Sequence, residues 1–233
     1  MDFTFGIITL NNLDYCKKII ESIINNNIPN YEIIIVGNIN LQNTDKIKVI
    51  NFDENIKPYW ITKKKNLIVE NAKYENVVLM HDYIILDIDW YKGFLKFGDN
   101  YDWCVTKIIN KNGQRFRDYT LFPLKTYTLD PYFTNNCLLP YDFENNIIIN
   151  KYMYISGSYY IIKKNVSLTY PLDENLILTQ SEDIKLSDLL HNNNIIIKCN
   201  KYSSVHFLKY KESCDWEKEM SIDKLNQLCE VLL

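Results

Sequence analysis

The chain has 233 residues, 47% of them hydrophobic and 24% charged, with a formal net charge of −3. That length and apolar content suit one α/β domain with a substantial core, and the acidic balance excludes a general nucleic-acid grip, which needs a basic face. No apolar run approaches the ~18 residues that span a bilayer, and the start MDFTFGIITL lacks the basic segment of a signal peptide. The six cysteines, Cys16, Cys104, Cys137, Cys199, Cys214 and Cys229, form no C-x-x-C pair. A soluble, cytoplasmic chain with reduced thiols is the expectation.

Phe3 to Thr9 reads as a first buried strand. Leu13, Cys16, Ile19, Ile20, Ile23 and Ile24 recur at three- and four-residue spacing, which predicts a helix stopped by Asn25-Asn26-Asn27-Ile28-Pro29. Tyr31 to Val36 is a second strand ending in Gly37-Asn38, and Ile47 to Phe52 is a third, more alternating one. Thr62 to Ala72 has a capping residue and an apolar face at Leu67, Ile68 and Ala72. Val77 to Met80 is a fourth apolar run, and it breaks off at His81-Asp82-Tyr83. A further apolar run leads to Asp87 and Asp89, just ahead of an aromatic-rich, helix-like segment.

The second half is less regular. Trp103 to Ile109 and Met153 to Ile162 look like strands around a loop-rich stretch, Asn110 to Asn150, and loops of that length tend to be functional. Within it, GQRFRD carries the chain's two arginines, Arg115 and Arg117, which with Lys111 suit forked bonds to an anion; a solvated turn at Asn112-Gly113 explains them as well. Ser181 to His191 predicts a helix: Ser181 caps, Glu182 and Asp183 occupy the first turn, Leu186, Leu189 and Leu190 form the apolar face, and His191 suits the dipole at the far end. Ile195 to Cys199 is a last strand. Asp215 to Leu233 is an amphipathic tail with Trp216, Met220, Leu225, Leu228 and Leu232 on one side, a surface offered to a homo-oligomer. The alternation predicts an α/β fold with a mostly parallel central sheet flanked by helices.

Buried parallel strands present their C-terminal ends to a ligand crevice, which draws attention to His81-Asp82-Tyr83. The segment VVLMHDYIILDIDW aligns without gaps to the Asp-rich "DxD" region of family 2 glycosyltransferases with the GT-A fold, and resembles it, although His81 and Tyr83 stand where that family usually has Asp. YEIIIVGN is similar to the family's second strand, with Gly37 and Asn38 in place of an Asp that contacts the base. KKKN, Lys63 to Asn66, resembles a basic helix start with Lys65 in the basic position. PLDENLILTQSEDIKLSDLL resembles the acceptor-side segment, and SSVHF places His206 where many such enzymes put a late metal ligand. Together these matches span residues 3 to 207.

The resemblance implies a single GT-A-like domain over residues 1–233: a nucleotide-binding half at 1–100, an acceptor-binding half at 101–210 and the tail at 211–233. It implies an inverting, metal-dependent, hexosyltransferase-like enzyme of glycan synthesis, which moves a sugar from a nucleotide-diphosphate sugar to an acceptor hydroxyl. Thr9, Asn11, Asn38, Lys65, His81, Asp82, Tyr83 and Gly157 would bind the donor. Asp82, His206 and His81 would hold a divalent cation, Mn²⁺ or Mg²⁺, which carboxylate and imidazole both suit. Asp183 would be the general base, with Glu182 as competitor. Blander readings stand beside these: Asp82 capping a turn, Tyr83 in the core, Gly157 in a strand bulge rather than against a sugar, and Glu182-Asp183 as an ordinary helix start. The rival function is a catalytically silent GT-A-like module that binds a nucleotide or glycan. A nucleotidyltransferase would carry a Gly-rich basic loop after the first strand, where this chain has TLNNLD.

Overall fold

The structure, a computed structural model, describes residues 1–121, 137–177, 180–212 and 218–232. Cys214, Asp215, Trp216 and the middle of the loop-rich stretch lie outside them.

The first half alternates as the apolar runs dictate: β1 (Phe3–Ile8), α1 (Leu13–Asn25), β2 (Tyr31–Val36), β3 (Ile47–Ile50), α2 (Ile61–Asn71) and β4 (Asn76–His81). Asn12 caps α1, its side chain accepting from the Tyr15 N–H at 3.1 Å. Thr62 does not cap α2: Trp60 holds that position without a side-chain hydrogen bond, and Thr62 is buried. The chain continues through β5 (Ile84–Leu86), α3 (Trp90–Phe97), β6 (Trp103–Ile109), β7 (Thr120–Leu121), β8 (Cys137–Leu138), α4 (Ile147–Asn150), β9 (Met153–Tyr154) and β10 (Tyr159–Lys163). It closes with α5 (Lys164–Thr169), α6 (Glu182–Asn192), β11 (Ile197–Phe207), β12 (Lys218–Glu219) and α7 (Ile222–Leu232).

Eight strands form one sheet in the order β3-β2-β1-β4-β10-β6-β11-β5, and β12-β8-β7-β9 form a smaller one. The large sheet is mixed rather than mostly parallel. β3, β2, β1 and β4 are parallel neighbours, as are β6 and β11, but β10 is antiparallel to both β4 and β6, and β5 to β11. The run Met153 to Ile162, expected as one strand, is broken at residues 155–158, so that β9 joins the small sheet and β10 the large one. The last strand is longer than its apolar stretch, because β11 continues past an irregularity between Asn200 and Ser204 to Phe207.

Side chains alternate across the sheet. Phe3, Phe5 and Ile7 pack with Cys16, Ile19 and Ile23 of α1 and with Trp90 and Phe94 of α3. Four of these aromatic rings interlock, with centroids 4.4 Å apart for Trp90 and Phe94 and 5.0 Å for Phe3 and Trp90; burying such side chains contributes roughly 1.5–3 kcal/mol each. On the other face Ile34, Val36, Val77 and Leu79 meet Ile68 and Val69 of α2 and Leu186 and Leu190 of α6. Part of the tail's apolar side joins this second core: Leu225 and Leu228 are buried in it and Met220 packs against it. His191 lies in the last turn of α6, as expected, and is buried beside Trp103. Among the described residues no helix is long and apolar enough to cross a membrane.

Strand direction decides what gathers at the site. Because β6 and β11 run with β4, their C-terminal ends emerge at the same edge as those of β1 and β4. The antiparallel β10 brings its N-terminal approach there, with the His81 N–H donating to the Ser158 carbonyl at 3.0 Å.

Candidate active site

A cavity of about 300 Å³ opens at this edge, between the ends of β1 and β4 and the start of α2. Thr9 and Asp82 form its floor: the Thr9 hydroxyl donates to Asp82 Oδ2 at 2.5 Å, and the Asp82 N–H donates to the Ile8 carbonyl. Gly37 lets Thr9 sit there, because a Cβ at that position would lie 2.3 Å from the Thr9 carbonyl oxygen. Burial raises the Asp82 carboxyl above its ordinary value, against the Thr9 hydrogen bond, Lys209 and Lys64, which pull it down. Tyr83 is buried in the core and also lines the cavity. His81 lines it too; burial and the nearby Lys65, Lys211, Lys209 and Lys64 hold its imidazole well below the ordinary value, so it is neutral. Tyr59, half exposed at φ 55° and with its N–H on Glu54, stands at the mouth.

Next to the cavity the sequence-predicted Lys65, Gly157, Glu182 and Asp183 do come together. Lys65 is buried on α2 and donates to the Gly157 carbonyl at 2.7 Å, with Glu182 Oε1 3.6 Å away. Burial lowers its pKa, and Glu182 and Asp183 oppose that. The Gly157 N–H donates to Asp183 Oδ2 at 3.1 Å. The fold itself requires a close approach at this glycine, to the carboxylate pair: a Cβ on Gly157 would lie 2.8 Å from Glu182 Oε1 and 3.1 Å from Asp183 Cβ. Burial, then the charge of Glu182, raises the Asp183 pKa, while the Gly157 and Ile184 N–H groups and Lys65 lower it. Ser181 takes a left-handed conformation, φ 50°, with no side-chain cap, so the first turn of α6 is set by these contacts instead of by Ser181. The Ser158 carbonyl, next to Gly157, accepts the N–H of the cavity residue His81, and Lys65 follows the cavity residue Lys64 on α2, so these links hold the carboxylate pair at the same sheet edge as the cavity.

Other expected residues stand apart. Asn11 and Asn38 are exposed and outside the cavity lining. In β11, Val205 and Phe207 are buried and His206 points the other way, where its Nε2 lies 3.1 Å from Asp87 Oδ2. The three expected metal ligands thus do not converge, and among the described residues no group of three or more His, Cys, Asp or Glu could hold a metal ion. Among the described residues the cavity lining has one carboxylate, Asp82, together with Lys64, Lys209 and Lys211. This donor set does not fit a divalent cation, which needs several oxygen ligands and less positive charge around it. Arg115 is structural: it donates to the buried Asp118 at 2.8 Å and to the Leu139 carbonyl at 2.7 Å, and stacks on Tyr141. Arg117 is the member of that loop close enough to Lys211 to lower its pKa.

Beyond the expected residues, Lys64, Lys209 and Lys211 also line the cavity. Lys64 donates to the Thr9 carbonyl at 3.0 Å and pairs with Glu54. Lys209 and Lys211 lie just beyond the end of β11: Lys209 Nζ lies 4.2 Å from the centre of the Tyr83 ring, and Lys211 Nζ donates to the Tyr83 hydroxyl at 2.9 Å. The alternating Lys-Tyr-Lys after an apolar strand was the available signal.

No family model and no curated protein sequence matches the chain. Solved structures do. S. aureus TarS 1-349 in complex with UDP-GlcNAc is similar with a TM-score of 0.58 at 16% identity, over 93% of this chain and 60% of that one. A second structure of TarS 1-349 gives 0.57 at 16% identity, over 88% and 60%. GalNAc-T7 with UDP, GalNAc and Mn²⁺ gives 0.62 at 11% identity, over 99% and 48%. The chain thus spans less than two thirds of these structures. At such identities the likeness speaks to architecture alone: the chain has a GT-A-like glycosyltransferase fold.

Proposed function

We propose that the chain is an inverting glycosyltransferase that takes a nucleotide-diphosphate sugar as donor. The observation that carries this is the convergence, at one sheet edge, of a cationic cavity floored by Thr9 and Asp82 with the Glu182-Asp183 pair beside it. The fold neighbours support it, since structures of them hold UDP, UDP-GlcNAc, or UDP with GalNAc. The cavity takes the donor's diphosphate, and Asp82 accepts a hydrogen bond from a hydroxyl of the ribose or donor sugar. Asp183 takes the proton of the acceptor hydroxyl as its oxygen attacks the sugar's anomeric carbon. The bond from that carbon to the diphosphate breaks, its electron pair leaving with the phosphate oxygen. Each Asp183 oxygen accepts one backbone N–H, from Gly157 and Ile184, which fixes the carboxylate while leaving lone pairs for that proton. The raised pKa makes it a stronger base than an ordinary Asp. The expected metal enters no step, because its ligands do not gather.

The test is to incubate the purified chain with UDP-, GDP- and CDP-sugars and simple glycan acceptors, and to measure released nucleoside diphosphate. Release by the parent, lost in Asp183→Asn, supports the proposal. Donor binding, seen as a raised melting temperature, without release in any combination favours the silent binding module.

A further inference from the structure

We propose that the ammonium groups of Lys209 and Lys211 hold the donor's diphosphate in the place a divalent cation would otherwise take, so that donor binding needs no metal. This rests on the nucleotide-sugar reading of the cavity.

Four lysines stand in or beside the cavity, and their commitments differ. Lys64 is matched by Glu54 and Lys65 by Glu182. Lys209 and Lys211 form no ion pair with a described carboxylate; their contacts are the ring and hydroxyl of Tyr83. Two cations in ion-pair contact with no described carboxylate, on one wall of a concave site, are what an anion with several oxygens needs, and what a bare metal ion would avoid.

Their placement is also built. Lys211 follows a strand whose partner, Tyr83, is fixed by the Leu208 N–H donating to its carbonyl at 2.8 Å and by the Phe207 ring 5.4 Å away. Asn110, itself buried at the end of β6, clamps the Lys211 backbone twice: its Nδ2 donates to the Lys211 carbonyl at 2.6 Å and its Oδ1 accepts the Lys211 N–H at 3.0 Å. A clamp of this kind pre-orders a side chain that would otherwise lose conformational freedom on binding. The charge environment agrees. Burial, Lys209 and Arg117 lower the Lys211 pKa, against Asp183, so an arriving anion relieves the strain of packing these cations together. Lowering the charge developing on a leaving diphosphate is the service a metal gives, and fixed ammonium groups supply it electrostatically.

Calorimetric titration with UDP, GDP, CDP and inorganic pyrophosphate, each in EDTA and in Mn²⁺, tests the proposal. Pyrophosphate and at least one nucleoside diphosphate should bind equally well in both conditions. Lys209→Met and Lys211→Met should each weaken binding about 10- to 100-fold, the worth of a charged hydrogen bond, and Lys211→Arg should restore most of the loss. Lys209 is exposed, so its variant reads binding without a folding defect, and a melting curve checks the Lys211 variant. Binding that appears only with Mn²⁺, or that the Met variants leave unchanged, overturns the lysine proposal and leaves the nucleotide-sugar reading standing. No binding of any probe in either condition overturns both.

Discussion

Replacing Asp183 with Asn removes a negative charge and a hydrogen-bond acceptor, and two measurements separate the losses. In the parent, Oδ2 accepts from Gly157 at 3.1 Å and Oδ1 from Ile184 at 3.0 Å. An amide has a single oxygen, so one of these N–H groups must face an NH₂. An unpaired buried donor costs about 1–3 kcal/mol. Relief of repulsion from Glu182, which raises the Asp183 pKa, offsets part of that cost. A net loss of about 1–2 kcal/mol follows, which for a chain of 233 residues lowers the melting temperature by roughly 2–8 °C. The chemical effect is larger. Without the base, transfer per folded molecule should slow about 10²- to 10⁴-fold, while nucleotide-sugar binding stays near the parental level. The assay pairs a melting curve with the initial rate of nucleoside diphosphate release under saturating donor. If the variant transfers at the parental rate per folded molecule, Asp183 is not the base and its place beside the cavity is structural.

Glu182→Gln should invert that pattern: it strands the buried Lys65 without its counter-charge, costing about 3 kcal/mol, with a smaller effect on rate, and urea titration beside the rate assay checks both. Gly157→Ala keeps an accessible backbone conformation but drives a Cβ to 2.8 Å from Glu182 Oε1. The carboxylates must shift by a few tenths of an ångström, and the expected result is a fall of about tenfold in kcat with donor affinity retained, read by steady-state kinetics. The pH profile follows from the sign of the Asp183 shift. The base works ionised, so activity is present above its pKa and lost as pH falls through it; because that pKa is raised, the acid limb of kcat/KM should lie above the ordinary value of 3.8. A limb at or below 3.8 would contradict the assignment.

How much of this was legible in the sequence depends on whether the deciding force is local. β1, β2 and β4 are continuous apolar runs, buried on both faces, and their positions follow from composition. The direction of β10 does not, because a strand's apolarity is the same whichever way it runs; its antiparallel insertion came only with the break at residues 155–158. Lys65, Gly157, Glu182 and Asp183 were found as short motifs, and the fold brings them together. His206 is singled out by the resemblance of SSVHF to a family motif with a late metal-binding His, yet side-chain alternation in β11 turns it toward Asp87. Beyond the end of β11, Lys-Tyr-Lys marks Lys209 and Lys211 as a pair, but their meeting with Tyr83, 128 residues away for Lys211, is set by the tertiary fold.

If the edge cavity binds a nucleotide-diphosphate sugar, that sugar should leave it with inverted configuration, and proton NMR of the anomeric signal during incubation of donor, acceptor and the purified chain decides it. The donor's anomeric signal should decay as nucleoside diphosphate accumulates one for one, and the first product signal should have the opposite configuration. A donor signal that persists unchanged across the UDP-, GDP- and CDP-sugars, or a first product of retained configuration, would contradict it.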